Sequence, residues 1–519
     1  MKARRIGFLL GIGLFLLVVS LPTLGAFLTI ASNTAATVPG SSAAELASSL
    51  QVVFALVLLM VTWWLTEAVP LPATALLPAV ILPFFHVVGV HQHTLFSFSV
   101  RNVLINYANP IIYLFMGGFL LAGAMQKWKL DRRFTLWMLT RGSIANDARS
   151  ILLGIMLVTA FLSMWISNTA TAAMMLPLGL GVLSLLGTRP GESKFGTALM
   201  LGIAWAASIG GVGTIIGTPP NGIALGILNS TFAGDPAYHG ISFLEWMGIG
   251  VPYVIIFIPV AWWVVLKTNP PEVTRIEGGK QKMLDQQQTL GPLSAGEKRT
   301  IGVFLLAVVL WMSNPFWVHL LPDFLYHRLE WINEYSIGLS IGVLLFLVPV
   351  NLKKAEFVLD WKDARFVDWG TLLLFGGGIA LSDAMFKTGL AAWIATSIVS
   401  ELGTPSTLIM LLVIIILVEL LTEITSNTAV TSMMVPVVIS IALRTGESPL
   451  TLAVGTALAA SMAFMLPVAT PPNAIVYSSG YVSIRDMVRS GFALDIASWG
   501  FTLLVMLVIG DWLMGMIPL

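Results

Sequence analysis

The sequence predicts an all-α polytopic membrane protein folded as an inverted two-fold repeat. Three observations predict it. Of 519 residues, 57% are hydrophobic and only 10% charged, far below the roughly 25% of water-soluble domains. Apolar windows long enough for a bilayer recur along the whole chain. Three short sequence blocks recur in the same order in the two halves. The net charge of +1 offers no basic excess for nucleic acid, and the absence of cysteine excludes disulfides, thiol catalysis and thiolate metal sites.

The windows fall near 6–30, 50–69, 71–90, 110–126, 197–228, 248–267, 300–320, 335–350, 369–388, 450–480 and 494–517. The first follows Lys2, Arg4 and Arg5 and is too long for a secretory h-region, so it is expected to stay as a span. Two more windows, 150–186 and 407–443, are each divided by Ser-Asn-Thr. With the N-terminus inside and both divided windows leaving and returning on one side, 23 of the 27 Lys and Arg residues fall inside; Arg101, Arg328, Lys387 and Arg444 do not. That bias predicts about eleven transmembrane helices, plus two re-entrant hairpins, in the cytoplasmic membrane with the C-terminus outside. The expected organisation is a first span and loop (1–49), repeat 1 (50–267), a cytoplasmic linker without chemistry (268–299) and repeat 2 (300–519).

The repeat is explicit. Gly117-Gly118 and Ala124-Met125 match Gly377-Gly378 and Ala384-Met385. Ser167-Asn168-Thr169 matches Ser426-Asn427-Thr428 at an offset of 259, and each is followed by Met-Met-x-Pro. Thr218-Pro219-Pro220-Asn221 matches Thr470-Pro471-Pro472-Asn473. Five spans separate matched blocks, an odd number, so the second half is inverted, as in secondary transporters with interrupted helices. The glycine pairs suit close helix contacts better than phosphate cradles.

Polar tripeptides and Pro-Pro inside apolar segments demand an explanation, because backbone groups in hydrocarbon must find partners within the protein. Proline unwinds a helix and frees carbonyls, which with hydroxyls are hard ligands suited to sodium. Arms of about 16 residues are short for a span and predict hairpins with Ser-Asn-Thr at the apex, where helix N-termini favour anions. Ser163 and Thr422 each lie four residues before a tip serine, a spacing that puts both hydroxyls on one helical face. One such tripeptide could be simple back-bonding; two in register are not. A third, Ser32-Asn33-Thr34, has no break after it and is read as coincidence.

These motifs, with Trp64-Leu65-Thr66-Glu67-Ala68-Val69-Pro70, resemble the divalent anion:sodium symporter family, the INDY-type dicarboxylate and citrate carriers, over roughly 50–517. The resemblance implies one sodium among Ser163, Ser167, Asn168 and the Gly217 carbonyl, and a second among Thr422, Ser426, Asn427 and the Ala469 carbonyl. It implies substrate carboxylates on Asn168, Thr169, Asn427 and Thr428, beside Thr218, Pro219, Thr470 and Pro471. It also implies a homodimer and an elevator motion.

The implied activity is sodium-coupled transport of a small dianionic carboxylate (succinate, malate or fumarate) across the lipid bilayer, with no organic cofactor. Rivals are a sodium-independent exchanger of the same fold and a citrate or sulfate carrier. An intramembrane protease is disfavoured because no membrane-embedded nucleophile–base pair is evident. Glu67, Glu419 and Glu423 are read first as structural acceptors, with ion or proton coupling as the alternative. His86, His91 and His93 are read as a solvated loop rather than a metal site.

Overall fold

The computed structural model describes residues 2–140, 147–236, 238–272, 279–402 and 406–515. Repeat 1 and its leader run through α1 (Lys2–Ser20), α2 (Gly25–Ala35), α3 (Ala43–Thr66), α4 (Leu71–Thr74), α5 (Leu77–Phe84), the hairpin β1 (Val88–His91) and β2 (Thr94–Ser97), α6 (Val100–Leu104), α7 (Pro110–Lys127) and α8 (Leu130–Leu139). Then come α9 (Ala148–Ser163), α10 (Asn168–Leu185), α11 (Lys194–Gly211), α12 (Pro219–Thr231) and α13 (Phe243–Thr268). After α14 (Gly279–Thr289), repeat 2 begins with α15 (Ala295–Ser313), α16 (Trp317–Leu320), α17 (Asp323–Leu329), α18 (Glu334–Leu347), β3 (Pro349–Asn351) and β4 (Glu356–Phe357). It ends with α19 (Trp369–Lys387), α20 (Leu390–Leu402), α21 (Thr407–Ile424), α22 (Asn427–Thr445), α23 (Pro449–Ala460), α24 (Pro471–Tyr477) and α25 (Ile484–Gly515).

Among the described residues, eight helices are long and apolar enough to cross a membrane, nine if α1 and α2 form one span bent by 60°. Fewer single helices than the expected eleven pass on length and composition, because proline divides several of the apolar windows. Pro22 separates α1 from α2, and 71–90 is cut into two short helices and a strand by a proline-rich stretch (Pro70, Pro72, Pro78 and Pro83). The window 335–350 yields a 14-residue helix that ends before Pro349. The breaks expected at the Pro-Pro pairs are present, between α11 and α12 and between α23 and α24. The four arms around the Ser-Asn-Thr tips have 16, 18, 18 and 19 residues. Only the first two fall short of a span; α21 and α22 pass on length and composition.

The chain is also not purely helical. Two antiparallel hairpins precede α7 and α19, so the repeat extends to these short sheets. In the first, Gln92 and His93 both adopt positive φ, the two-residue turn whose twist matches paired strands. The sequence hid both because the strands are only two to four residues long.

The linker is more than a spacer. α14 packs on α8, Gln287 accepts from the Thr140 hydroxyl at 3.2 Å, and Arg133 donates to the Leu290 and Gly291 carbonyls. The third tripeptide lies on α2, with Ser32 and Thr34 bonded back to Leu28 and Ile30. The glycine pairs are contacts, as the sequence suggests: α7 runs against α18, and a Cβ on Gly117 would overlap the Gly338 carbonyl. The largely buried α7 and α19 stand at the centre of the molecule, and the two broken helices meet beside them.

Candidate functional site

Each Ser-Asn-Thr tip opens a helix. Ser167 is the N-cap of α10 and accepts from Ala170 N–H at 3.4 Å; Ser426 is the N-cap of α22. Each Pro-Pro opens another, with Thr218 capping α12 and Thr470 capping the short α24, where its hydroxyl accepts from Asn473 N–H at 3.3 Å. The prolines suit this place, since first-turn amides lack intrahelical partners anyway. All four N-termini line one cavity of about 1090 Å³. The N-termini of α10 and α22 each carry a nominal charge near +0.5, about +1 in all; α12 and α24 open on Pro-Pro, and the missing first-turn amides leave those two ends with little to offer an anion.

The cavity brings together Ser167, Asn168, Thr169, Gly217, Thr218, Pro219, Ser426, Asn427, Thr428, Ala469, Thr470 and Pro471. Only Ser163 and Thr422 among the expected residues do not line it; both are fully buried behind the tips. The lining holds no lysine, arginine or histidine, and its charged members are Glu67 and Asp368. Glu67 ends α3 in a left-handed conformation and pairs with Arg4 at 3.1 Å, both exposed.

The hydroxyls behind the tips are arranged differently from the expected shared helical face. The chain turns after Ser163 and after Ile424, so Ser167 and Ser426 leave the helix that carries their partner. The Ser163 hydroxyl instead lies 2.7 Å from the Asn168 Oδ1 and 2.6 Å from the Ala207 carbonyl. The Thr422 hydroxyl lies 2.6 Å from the Asn427 Oδ1 and 3.0 Å from the Ala460 carbonyl. The two arrangements are the same object in each half.

The Asn168 head group also reaches the Gly217 carbonyl. Its NH₂ donates to the Ser163 hydroxyl at 2.7 Å, the Ala207 carbonyl at 3.1 Å and the Gly217 carbonyl at 3.3 Å, which closes the cluster. Gly211 lets this head group in, since a Cβ there would press on it at 2.5 Å.

The unwound segments are held by side chains that the tripeptides did not reveal. Asn221 donates to the Gly211 and Thr214 carbonyls at 3.2 and 2.8 Å, and Asn473 to Ala463 and Leu466 at 3.1 and 3.0 Å. Both belong to the repeated Thr-Pro-Pro-Asn, so their signal was present in the sequence. Each leaves its own Oδ1 buried without a donor. Glu423 accepts from three consecutive amides, Phe464, Met465 and Leu466, at 2.5, 2.9 and 3.0 Å. At the 259 offset its counterpart is Met164, whose carbonyl accepts from the Thr214 hydroxyl at 2.5 Å. Glu419 accepts from Ser498 at 2.8 Å. The structural reading of Glu423 is visible in its three bonds. No group of three His, Asp or Glu positioned for a metal occurs among the described residues, and His91 and His93 sit at the tip of the first β-hairpin.

Known proteins share this construction. The transporter YdaH of Alcanivorax borkumensis matches with a TM-score of 0.55 at 13% identity, covering 88% of this chain and 98% of that one. The efflux pump MtrF of Neisseria gonorrhoeae matches with a TM-score of 0.55 at 9% identity, covering 92% and 97%. At such identity the likeness is one of fold. In sequence, a sodium-dependent dicarboxylate transporter, SdcS, of Staphylococcus saprophyticus is 39% identical over 455 residues, 86% of this chain and 83% of the relative. Its Staphylococcus aureus counterpart is 36% identical over the same shares. The family model for the sodium:sulfate symporter transmembrane region matches residues 12–517. The chain is a multi-pass membrane transporter, not an enzyme, and it belongs to the sodium:sulfate symporter family.

Proposed function

We propose that the chain carries C4-dicarboxylates, such as succinate, malate and fumarate, across the cytoplasmic membrane together with sodium. The observation that carries this reading is a cavity ringed by helix N-termini and devoid of basic residues. A dianion there gains from amides and helix ends on both tips, which leaves part of its charge uncompensated. Sodium in the two hydroxyl–asparagine clusters supplies the remainder.

Ser163, Ser167, Asn168 and the Gly217 carbonyl hold one ion; Thr422, Ser426, Asn427 and the Ala469 carbonyl hold the other. The Ala207 and Ala460 carbonyls add an oxygen to each set. Asn168, Thr169, Asn427 and Thr428 receive the two carboxylates, flanked by Thr218, Pro219, Thr470 and Pro471. The sodium-dependent dicarboxylate relatives support this choice of ion and substrate.

In this reading sodium turns the Asn168 carbonyl inward and orders the tip before substrate binds. The arms α9–α10 and α21–α22 are re-entrant hairpins; α9, at 16 residues, reaches about 24 Å against a hydrocarbon core of about 30 Å. Hairpins and broken helices move as an elevator against the central α7, α18 and α19, in each protomer of a homodimer. The two repeats, 50–267 and 300–519, are joined by the segment 268–299. With the N-terminus inside, the exposed Glu67, paired with Arg4, supports a cavity mouth on the cytoplasmic side.

The test is succinate uptake into proteoliposomes under an inward sodium gradient, against equal potassium or choline. Sodium-driven accumulation supports symport. Uptake that needs internal dicarboxylate and ignores sodium overturns it in favour of exchange, and inhibition by sulfate or citrate in preference to succinate overturns the substrate.

A further inference from the structure

Behind the repeat-2 tip, on the side away from the cavity, three acids share the interior. Glu419 lies one helical turn before Glu423 on α21, and Asp495 faces them from α25. Glu419 and Asp495 are each only 1% exposed, inside helices that are themselves candidate spans. Tyr253 of α13 stands near, its hydroxyl bonded to Thr502 at 2.9 Å, and α23, the other helix packed on α25, brings no titratable group.

Glu423 satisfies its charge with three amides. The other two acids do not. Glu419 receives one bond, from Ser498, and its Oε2 has no partner; neither oxygen of Asp495 has any. Trp499 turns its indole toward Glu419 without completing a hydrogen bond. Among the described residues, no lysine, arginine or histidine pairs with either acid.

Two ionised carboxylates facing a third, in hydrocarbon and with one hydroxyl donor between them, would be very costly; such groups neutralise instead. The cluster also has no twin. At the 259 offset that aligns the tips, Glu419 falls on Ala160 and Glu423 on Met164. The rest of the site is duplicated, so the acid pair is an addition made in one half only.

We propose that Glu419 and Asp495 form a proton-binding site in repeat 2, separate from the substrate cavity and from the hydroxyl clusters. Ser498, one turn along α25 from Asp495, already bonds Glu419, so the two acids share one side of the α21–α25 contact, and a proton on either carboxyl supplies the missing donor that links the two helices. Losing that proton leaves two like charges between the hairpin arm and the last helix and loosens the arm that carries Thr422 and Glu423. Transport activity therefore falls as pH rises through the titration of the pair, by up to about tenfold per pH unit for a single proton.

The test pairs infrared spectroscopy with transport, using purified full-length protein in lipid. Wild type shows a protonated-carboxyl C=O band at neutral pH that the double variant Glu419→Gln/Asp495→Asn loses, while eluting as a folded protein. The amides donate in place of the proton, so uptake by the double variant no longer declines on the alkaline side. Should the double variant misfold, Asp495→Asn alone provides the same readouts. An unchanged carboxyl band overturns the proposal. So does a fall in the number of radioactive sodium ions bound per protein, which would assign the site to sodium. Both readouts leave the tip residues intact, so failure here is separable from failure of the symport reading.

Discussion

Replacing Glu423 by glutamine keeps the shape of the side chain and removes its charge and one acceptor. Oε1 takes the amides of Phe464 and Met465, and Oε2 takes that of Leu466. The best glutamine rotamer keeps the carbonyl on the first two and sets NH₂ against the Leu466 N–H. One charge-assisted bond is lost, worth about 1.5–3 kcal/mol. Two more fall to neutral strength, about half as strong. Met465 and Leu466 are only half-buried, so water offsets part of the loss. The net is about 2–3 kcal/mol, felt by the unwound segment between α23 and α24 that carries the Ala469 carbonyl.

At about 1.4 kcal/mol per decade, the half-saturating sodium concentration rises roughly 30- to 140-fold. The assay is initial succinate uptake into proteoliposomes across a sodium series, with reconstituted amount and elution profile matched to wild type. Thr214→Val probes the matched place in repeat 1, where one hydroxyl bond to Met164 is lost; about 1 kcal/mol predicts a roughly fivefold shift. A Glu423→Gln shift below about threefold would refute the argument that this carboxylate holds the repeat-2 sodium site.

Asn168→Ala and Asn427→Ala each remove the head group that joins cation cluster and cavity; each abolishes uptake while leaving a folded, monodisperse protein, and near-normal uptake in either would misplace the site. Gly211→Ala pushes a methyl against the Asn168 amide and cuts sodium-dependent uptake at least tenfold, whereas an unchanged rate would mean the tip can yield. Asp363, outside the membrane spans, tests pH: burial pushes its carboxyl up, but the Lys127 ammonium at 2.7 Å outweighs this and holds it below its ordinary value. A lowered acid contributes stability above its unfolded pKa and loses it as pH falls. Asp363→Asn therefore costs about 1–3 kcal/mol near neutrality, and the gap in melting temperature to wild type closes as pH falls below the ordinary aspartate value of about 4.

Much of the site was legible because its chemistry is written in unusual residues. Ser-Asn-Thr and Thr-Pro-Pro-Asn have no place in a continuous membrane helix, so their presence marks broken backbone. Their repetition at constant spacing joins the two halves, and the structure brings both tips into one cavity. What escaped the sequence is supplied by backbone or by tertiary contact. The Ala207 and Ala460 carbonyls belong to residues with no distinguishing side chain. The helical spacing of Ser163 and Ser167 misled because the turn between them interrupts the period. The failures of span counting share a cause: window hydropathy reads composition, whereas 71–90 is divided by proline geometry. A β-hairpin of four-residue strands is equally silent in such a window.

The symmetry of the halves is most informative where it breaks. Each unwound segment needs its freed amides and carbonyls tied, and the asparagine of the Pro-Pro motif does part of this identically in both. Repeat 1 finishes with a neutral hydroxyl, Thr214; repeat 2 uses a carboxylate, Glu423, with a second acid pair behind it. In the proposed reading the two clusters hold sodium, and a carboxyl beside only one of them makes them unequal, since its ionised form raises the cation affinity of the nearer cluster. The cavity lining carries two acids, Glu67 and Asp368, and no basic residue, so in the proposed reading a dianion approaching before the cations meets like charge. Filling the clusters first offsets that repulsion and favours sodium before substrate, the order a symporter needs to avoid carrying the anion alone.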